Sequence, residues 1–294
     1  MGNLKFGTNS PLALYMGVSG STKAYYGTTE VFSGGNIDYS KEYLTFEVLT
    51  GGTIVWEANN AGTVDRTIYY SKNNGSWYEM TSIPMGTTIS VNAGDIVRFK
   101  GNTGGTSAGA NDASNYCWFK NSTAYFNVYG NIESIASEDF ATSAVTLTRN
   151  FKGLFRGSKA VDISNLYLPS PTVQFQYSFL FRECASLINT PDLSHINAFT
   201  KSGLGGMFSV CPSLTSVDNL PVVTSSYGAD AAFTLMFSGS TNLTYVRNIS
   251  TYTSGFTNWL QGVSATGTFV KDANATWSSG ASGIPSGWTV INDT

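Results

Sequence analysis

Hydrophobic and polar positions alternate in short runs along the first half of the chain. YLTFEVL at residues 43–49 places apolar side chains at alternate positions, as a strand with one buried face requires. RTIYYSKNNGSWYEM carries Asn74–Gly75 between two aromatic runs, which is a strong signal for a β-hairpin. TTISVNAGDIVRFKG predicts a second hairpin, with its turn at Asn92–Gly94. Strands that recur about every eight to twelve residues with turns between them predict a β-sandwich over residues 41–135.

Residues 1–40 form a separate, glycine-punctuated pattern. LYMG at residues 14–17 is echoed by YYGTTEVF at residues 25–32, and both predict short strands joined by glycine turns. A unit this small buries little apolar surface by itself. We therefore expect it to pack on a partner or on copies of itself.

From about Phe151 one eight-letter pattern recurs along the chain. LFRECASL begins at Leu180, MFSVCPSL at Met207 and MFSGSTNL at Met236, with weaker copies before and after them. The second letters of the five copies are Phe155, Phe181, Phe208, Phe237 and Leu260. Their spacing of about 23–29 residues lies in the range of leucine-rich repeats.

The repeated letters predict stacked layers of one core. Each repeat would contain a short helical turn, a tight bend and a short strand, and it would bury its apolar face only against its neighbours. Cys184, Cys211 and Ser240 occupy equivalent positions, which predicts a small side chain between layers. The tail SSGASGIPSGWTVIND would cap the open end of the stack. The pattern therefore predicts a solenoid over residues 150–294.

Composition narrows the class of protein. Charged residues make up 12% of the chain and aromatic residues 14%, a mixture typical of β-rich extracellular or virion proteins. The net charge of −3, without a cluster of Lys and Arg, predicts no nucleic-acid partner. Apolar runs are too short for a membrane span, so we expect no membrane insertion. MGNLKFGTNS lacks the apolar centre of a signal peptide, and we expect synthesis in a cytoplasm.

Candidate catalytic and metal-binding residues are few. The three cysteines lack metal-type spacing, and we expect buried thiols. The single histidine, His195, follows a repeat strand and is expected on a surface loop. Carboxylate pairs could support glycoside hydrolysis, with candidates at Glu57, Asp65, Asp95, Glu133, Glu138 and Asp139. Turn formation or solvation accounts better for these carboxylates, so we predict no enzyme activity, no cofactor and no metal.

Exposed aromatic side chains are the candidates for glycan or receptor contact, because a sugar face stacks on an aromatic ring. We select Trp77 and Tyr78 beside the Asn74–Gly75 turn, and Tyr227 and Tyr252 in the repeats. The alternative for each is a role in the core or in strand pairing. The same alternative applies to the further aromatic candidates Trp56, Trp118, Tyr245 and Trp259.

Two parts of the chain resemble known families. The pattern M-F-x-x-C-x-S-L resembles the BspA-like leucine-rich repeats of gut bacterial surface proteins, and GIPSGWTV is similar to their ending. The segment from YYSKNNGSWYEMTS to FNVYGNIESI is similar to the β-domain that often precedes these repeats. KFGTNSPLALYMGVSGSTKAYYGTTEVF resembles the start of virion fibre proteins from phages of gut Bacteroidetes, including crAss-like phages.

The resemblance implies a fold and a function. The fold is mainly β with short helices: a small N-terminal β anchor at residues 1–40, a β-sandwich at 41–135 and a BspA-like leucine-rich-repeat solenoid at 150–294. The implied protein is a bacteriophage head or tail fibre or decoration protein, exposed on the virion surface and made in the host cytoplasm.

The resemblance also implies the partners. Residues 1–40 would attach to other virion proteins, and the rest would bind a host cell-surface protein or glycan multivalently, as a homotrimer. Two alternatives stay open. One is a bacterial BspA-like surface adhesin, and the other is a capsule depolymerase.

Overall fold

A computed structural model describes most of the chain. It covers the backbone of residues 15–16, 23–26 and 29–33, and the complete residues 37–58, 66–83, 86–101, 117–140, 151–172, 174–226 and 231–293. Strands dominate these ranges, and their helical segments are two 3-10 turns, Tyr39–Lys41 and Ile132–Ile135. The prediction of a mainly β fold is confirmed. The chain divides into two compact units, Met1–Asp38 and Tyr39–Thr294.

The first unit contains a three-stranded antiparallel sheet. Its strands are β1 (Tyr15–Met16), β2 (Lys23–Tyr26) and β3 (Thr29–Ser33), in that order across the sheet. Tyr15 lies opposite Tyr25. These strands overlap the two runs whose pattern predicted them, LYMG at residues 14–17 and YYGTTEVF at residues 25–32.

The second unit begins with nine strands in two sheets. They are β4 (Leu44–Val48), β5 (Gly52–Ala58), β6 (Thr67–Lys72), β7 (Trp77–Thr81), β8 (Thr87–Val91), β9 (Ile96–Lys100), β10 (Cys117–Trp118), β11 (Phe126–Asn131) and β12 (Leu166–Tyr167). Six form one sheet in the order β12-β11-β4-β9-β6-β7, and three form another in the order β10-β5-β8. Strands β11 and β12 pair in parallel, and the other neighbours pair antiparallel.

One of the two predicted hairpins forms. Strands β6 and β7 pair with Ser71 opposite Trp77, across a turn centred on Asn73 and Asn74, one residue earlier than predicted. The second predicted hairpin is wrong, because β8 pairs with β5 whereas β9 lies between β4 and β6 in the other sheet. The chain therefore passes from one sheet to the other at residues 92–95. Alternation shows which side chains face the core, but it carries no information about which strand supplies the hydrogen-bond partners.

An aromatic cluster joins the two sheets. Phe46 on β4 stacks on Phe126 on β11, with ring centroids 4.2 Å apart. Phe119 lies 5.0 Å from Phe46 and 5.0 Å from Trp56 on β5. All four side chains are fully buried. Burial of each such ring stabilises the fold by about 1.5–3 kcal/mol, so this cluster is a main source of cohesion between the sheets.

The repeats contribute a four-stranded parallel sheet. Its strands are β13 (Ser216–Val217), β14 (Tyr245–Asn248), β15 (Gly267–Lys271) and β16 (Trp288–Asn292), in chain order. Val246 lies opposite Val217 on one side and opposite Phe269 on the other. The chain therefore returns to the same side of the sheet in each of the last three repeats and again in the tail.

The segments that carry the repeated pattern, such as residues 174–183 and 201–210, are not helical. The predicted helical turn is therefore wrong for the described part of the repeats. The φ angle lies between 52° and 65° at every fourth position, namely Phe175, Phe179, Glu183, Ser202, Gly206 and Val210. A left-handed residue cannot continue a right-handed helix. Alternate N–H groups bond within the run and to the next repeat. Leu180 donates to the Tyr177 carbonyl at 3.1 Å, and Phe181 donates to the Met207 carbonyl at 2.9 Å.

The repeated phenylalanines stack in a single file, which we call the phenylalanine column. Its members are Phe155, Phe181, Phe208 and Phe237, all fully buried. Neighbouring rings have centroids 4.9, 5.9 and 5.5 Å apart and are within 11° of parallel. Trp259 ends the column edge-on at 6.1 Å from Phe237.

A column of small residues runs beside the rings, as the repeat pattern predicted. Cys184 donates its thiol hydrogen to the Phe155 carbonyl at 3.0 Å. Cys211 and Ser240 donate in the same way to the phenylalanine carbonyls one repeat earlier, at 3.1 and 2.8 Å. A small side chain with a donor therefore fits between layers, and Ser158 takes this position in the first repeat.

The first repeat is built directly on the β-domain. Asn131 and Gly130 on β11 pair in parallel with Tyr167 and Leu166 on β12. Gly130 has a φ of 87°, and a Cβ there would overlap the Tyr43 carbonyl, so glycine is required at this crossing. The β-domain and the repeats consequently share one hydrophobic core.

Candidate functional site

The predicted contact residues of the β-domain lie on the edge strand β7. Trp77 is half-buried, with its ring edge against Tyr43 at 5.2 Å. The Lys100 ammonium lies 4.9 Å from the centre of the Trp77 ring. Tyr78 is 57% exposed and lies 5.6 Å from Tyr70. Tyr78 is thus the accessible ring of the pair, and the Trp77 ring has structural neighbours.

Of the two contact residues predicted in the repeats, the structure describes Tyr252. Tyr252 is partly buried against the core, and its backbone N–H donates to the Val223 carbonyl at 3.0 Å. Tyr227 lies outside the described residues.

The other aromatic candidates have clear structural partners. Trp56 and Trp259 are fully buried, and their indole N–H groups donate to backbone carbonyls at 2.8 and 3.0 Å. Trp118 donates to the Glu57 carboxylate at 3.0 Å. A buried ring whose N–H is satisfied contributes to packing and leaves no face for a ligand.

The carboxylates considered for hydrolysis also have structural partners. Asp95 accepts hydrogen bonds from the Asn92 backbone N–H and the Asn73 amide, both at 2.8 Å, and these bonds lower its pKa. Glu138 pairs with Lys100 at 2.6 Å. Glu133 and Asp139 lie in and after the 3-10 turn Ile132–Ile135, and Asp65 lies outside the described residues.

Thiol chemistry and metal binding are not indicated in the described part of the chain. Cys117, Cys184 and Cys211 are buried and free. Burial raises the pKa of the Cys184 thiol to about 12, so the sulfur stays protonated. No group of three or more His, Cys, Asp or Glu in the described ranges could hold a metal ion. No helix there is long and apolar enough to cross a membrane.

A concave site lies where the β-domain meets the first two repeats. We call it the Tyr39–His195 pocket. It has a volume of about 280 Å³ and is lined by Tyr39, Ser164, Asn165, Leu166, Tyr167, Asp192 and His195. A smaller hollow of about 50 Å³ shares Ser164 and Asn165 and adds Glu47, Asn127, Val128, Tyr129 and Asp162. Aromatic and polar side chains therefore converge on one surface.

Pairing between β11 and β12 positions the two tyrosines. Tyr167 lies opposite Asn131, a buried residue whose amide donates to the Ser40 carbonyl at 2.8 Å. That bond holds the 3-10 turn that begins at Tyr39, whose ring meets the Tyr129 ring edge-on at 5.9 Å. Burial raises the pKa of Tyr39, so its hydroxyl stays protonated and can donate.

Two copies of one short turn build the rest of the pocket. They are DISNL at residues 162–166 and DLSHI at residues 192–196. In each copy the aspartate Oδ1 accepts the backbone N–H two residues later at 2.9 Å. Buried apolar side chains at the second and fifth positions anchor both turns. Asn165 and His195 hold the same place in the two copies, and this repeated motif is the sequence signal that could have located the pocket.

The pocket side chains are held in place but retain free polar groups. The His195 ring stacks on the Tyr167 ring, with centroids 5.1 Å apart and planes within 12°. His195 Nε2 lies 2.9 Å from the Leu168 carbonyl, which fixes the ring orientation. Within the described ranges the Asn165 amide and the Ser164 hydroxyl have no hydrogen-bond partner. These groups can therefore bind a ligand without breaking an internal bond.

Comparison of the chain with protein-family models, with curated proteins and with solved structures found no match. The functional interpretation therefore depends on the residues and geometry of the fold and the pocket.

Proposed function

We propose that this chain is a structural appendage protein of a bacteriophage particle, a head or tail fibre or decoration protein that adheres to the host surface by multivalent binding. In this proposal residues 150–294 form a BspA-like leucine-rich-repeat solenoid. The β-domain covers one end of the solenoid and the C-terminal tail covers the other. Residues 1–40 attach the chain to other virion proteins.

The observation that carries the proposal is the continuous stack of repeats. Phe155, Phe181 and Phe208 stack in order, and backbone hydrogen bonds join each repeat to the next. Such a stack is a rigid scaffold with a broad surface, which suits contact with a protein or a glycan. Copies displayed together on a particle would convert weak single contacts into strong attachment.

The division of the chain supports a separate attachment module. Residues Met1–Asp38 form one compact unit with its own three-stranded sheet, and Tyr39–Thr294 form the other. A small unit of this kind gains stability from a partner surface, which agrees with docking on a virion protein. The homotrimer belongs to the proposal through the fibre resemblance.

The second candidate is a bacterial BspA-like surface adhesin, which the repeat pattern favours equally. It differs from the first in where the protein is found, because the adhesin would lie on cells and the appendage on particles. A capsule depolymerase is the weaker alternative, because Asp95 and Glu138 have structural partners.

Immunogold electron microscopy of purified virions tests the proposal. An antibody against residues 151–294 is expected to label particles, on the head for a decoration protein or head fibre and on the tail for a receptor-binding fibre. The control is the same antibody absorbed with the purified protein. Label on bacterial cells and on no particle would replace the appendage with the adhesin. Release of sugars from host capsule by the purified protein would instead favour the depolymerase.

A further inference from the structure

We propose that the Tyr39–His195 pocket binds a neutral pyranose unit of a surface glycan. The inference rests on the proposed adhesive function for its biological role, and it adds a defined site and a class of ligand. The pocket residues are not the aromatics that the sequence pattern selected.

The size of the pocket suits a sugar. Its volume of about 280 Å³ is close to the lower end of the range of about 300–1,000 Å³ for small-molecule sites. The adjoining hollow of about 50 Å³ shares Ser164 and Asn165 and offers contact to a neighbouring unit of the same glycan. The ligand that fits is thus one sugar ring with part of a second.

The chemistry of the lining matches the two kinds of surface on a pyranose. The C–H face of the sugar is apolar and packs on aromatic rings, which Tyr39, Tyr167 and His195 provide. Its hydroxyls need donors and acceptors at the rim. The free amide of Asn165 and the free hydroxyl of Ser164 supply both.

The lining is already ordered, so that binding costs little conformational entropy. Asp192 is oriented by the Ser194 N–H, which its Oδ1 accepts at 2.9 Å. His195 is held between the Tyr167 ring and the Leu168 carbonyl. Leu193 is fully buried beneath the turn that carries both side chains.

The charge of the surface selects against acidic sugars. Among the described residues, the carboxylates of Asp192, Asp162 and Glu47 line the pocket and the hollow, and neither Lys nor Arg does. A sialic or uronic acid would bring a further negative charge close to these groups, which is unfavourable. A neutral hexose or N-acetylhexosamine carries no such penalty.

The test is binding of the purified full-length protein to an array of neutral, amino and acidic glycans, followed by titration calorimetry with soluble oligosaccharides that bind. We expect binding to neutral glycans and none to sialylated or uronic-acid glycans. Tyr167→Ala should weaken binding by roughly five- to tenfold, because it removes one stacking ring. Tyr167→Phe keeps the ring and should weaken binding less.

Asn165→Ala removes a free amide and should also weaken binding, and it keeps the test valid if Tyr167→Ala fails to fold. The matched control is Tyr125→Ala, an exposed tyrosine that lines neither the pocket nor the adjoining hollow, which should bind normally. Thermal unfolding curves verify that each variant is folded.

The inference is overturned by preference for acidic glycans, by absence of glycan binding at millimolar concentrations, or by binding that Asn165→Ala and Tyr167→Ala leave unchanged. It is also overturned if the protein attaches to host cells equally well after their glycans are removed. Labelling of particles without glycan binding would support the proposed appendage role and overturn the proposed glycan site. Glycan binding without labelling of particles would support the proposed glycan site and overturn the proposed phage role.

Discussion

Phe181 lies face to face with Phe155 of the preceding repeat, with ring centroids 4.9 Å apart and planes within 4° of parallel. Both rings are fully buried. Phe181 also donates its backbone N–H to the Met207 carbonyl of the following repeat at 2.9 Å. One residue therefore sets the register of the stack in both directions.

Phe181→Ala is expected to lower the free energy of unfolding by about 3–5 kcal/mol, because it leaves a cavity in the middle of the column. Urea denaturation followed by circular dichroism measures the change. The control is Ile188→Ala in the same repeat, whose side chain is 46% exposed and whose loss should cost about 0.5 kcal/mol or less. Equal losses for the two variants would show that the column does not stabilise the stack.

Val210→Gly is expected to cost less stability than the same change at a position whose φ is negative. Val210 has a φ of 59° and is 43% exposed, whereas Gly157, Gly239 and Gly262 occupy the equivalent position in other repeats. A left-handed conformation costs a non-glycine residue roughly 1–2 kcal/mol, and added chain entropy costs glycine roughly 0.5–1 kcal/mol. Release of this strain should offset about 1–2 kcal/mol of the cost of losing the partly buried side chain and of the added chain entropy, measured by urea denaturation.

The matched control for that substitution is Val222→Gly. Val222 is similarly exposed, at 40%, but its φ is not positive. No strain is released there, so Val222→Gly should lower the free energy of unfolding by about 1–2 kcal/mol more than Val210→Gly does. Destabilisation of the same size at both positions would contradict the assignment of strain to Val210.

The three cysteines are expected to resist alkylation in the folded protein. Burial raises the pKa of Cys184 to about 12 and that of Cys211 well above its usual value, and the thiolate is the reactive form. Mass spectrometry after iodoacetamide treatment should show an unmodified native chain and three additions after denaturation. Rapid modification of Cys184 in the native protein would mean that the layers around it open.

Asp95 is expected to make stability depend on acid pH. Its pKa is lowered in the folded state by the Asn92 N–H and the Asn73 amide, below the ordinary value of 3.8. Its contribution is therefore complete above pH 3.8 and is lost as the pH falls through the lowered folded-state pKa. Asp95→Asn should cost about 1–3 kcal/mol at neutral pH.

Denaturation of both proteins over a pH series checks this behaviour. The gap between wild type and Asp95→Asn should narrow as the pH falls below 3.8. A gap of constant size would show that hydrogen bonds to the carboxylate do not favour its charged form. Glu79→Gln, which changes an exposed carboxylate on β7, is a control for the general effect of removing one negative charge.

Local patterns predicted a good part of the fold. The run Asn73–Gly75 identified the β6–β7 hairpin because a tight turn needs residues that tolerate a positive φ, which Asn73 and Asn74 adopt, and that requirement is local. The spacing of the phenylalanines and of Cys184, Cys211 and Ser240 identified the layers, because stacking makes equivalent residues meet. By contrast, the helical turn was wrong, because the left-handed conformation at Phe179 and Val210 has no signature in those residue types.

The residues that form the pocket, by contrast, were not predictable from local patterns. The prediction that His195 lies on the surface is confirmed, but the sequence did not link it to a site and did not select Tyr39 or Tyr167. Those residues meet because β12 pairs with β11 and Asn131 reaches back to Ser40, and both contacts join distant parts of the chain.

What the sequence by itself determined is the set of residues that must be buried and the period at which they return. It did so because alternation and repetition are properties of neighbouring or regularly spaced residues. Only the tertiary structure decided which strands pair, as with β8 and β9, and which exposed side chains share a pocket, as with Tyr39 and His195. Strand partners are chosen by the packing of the whole core, and a pocket forms where two separately patterned segments meet.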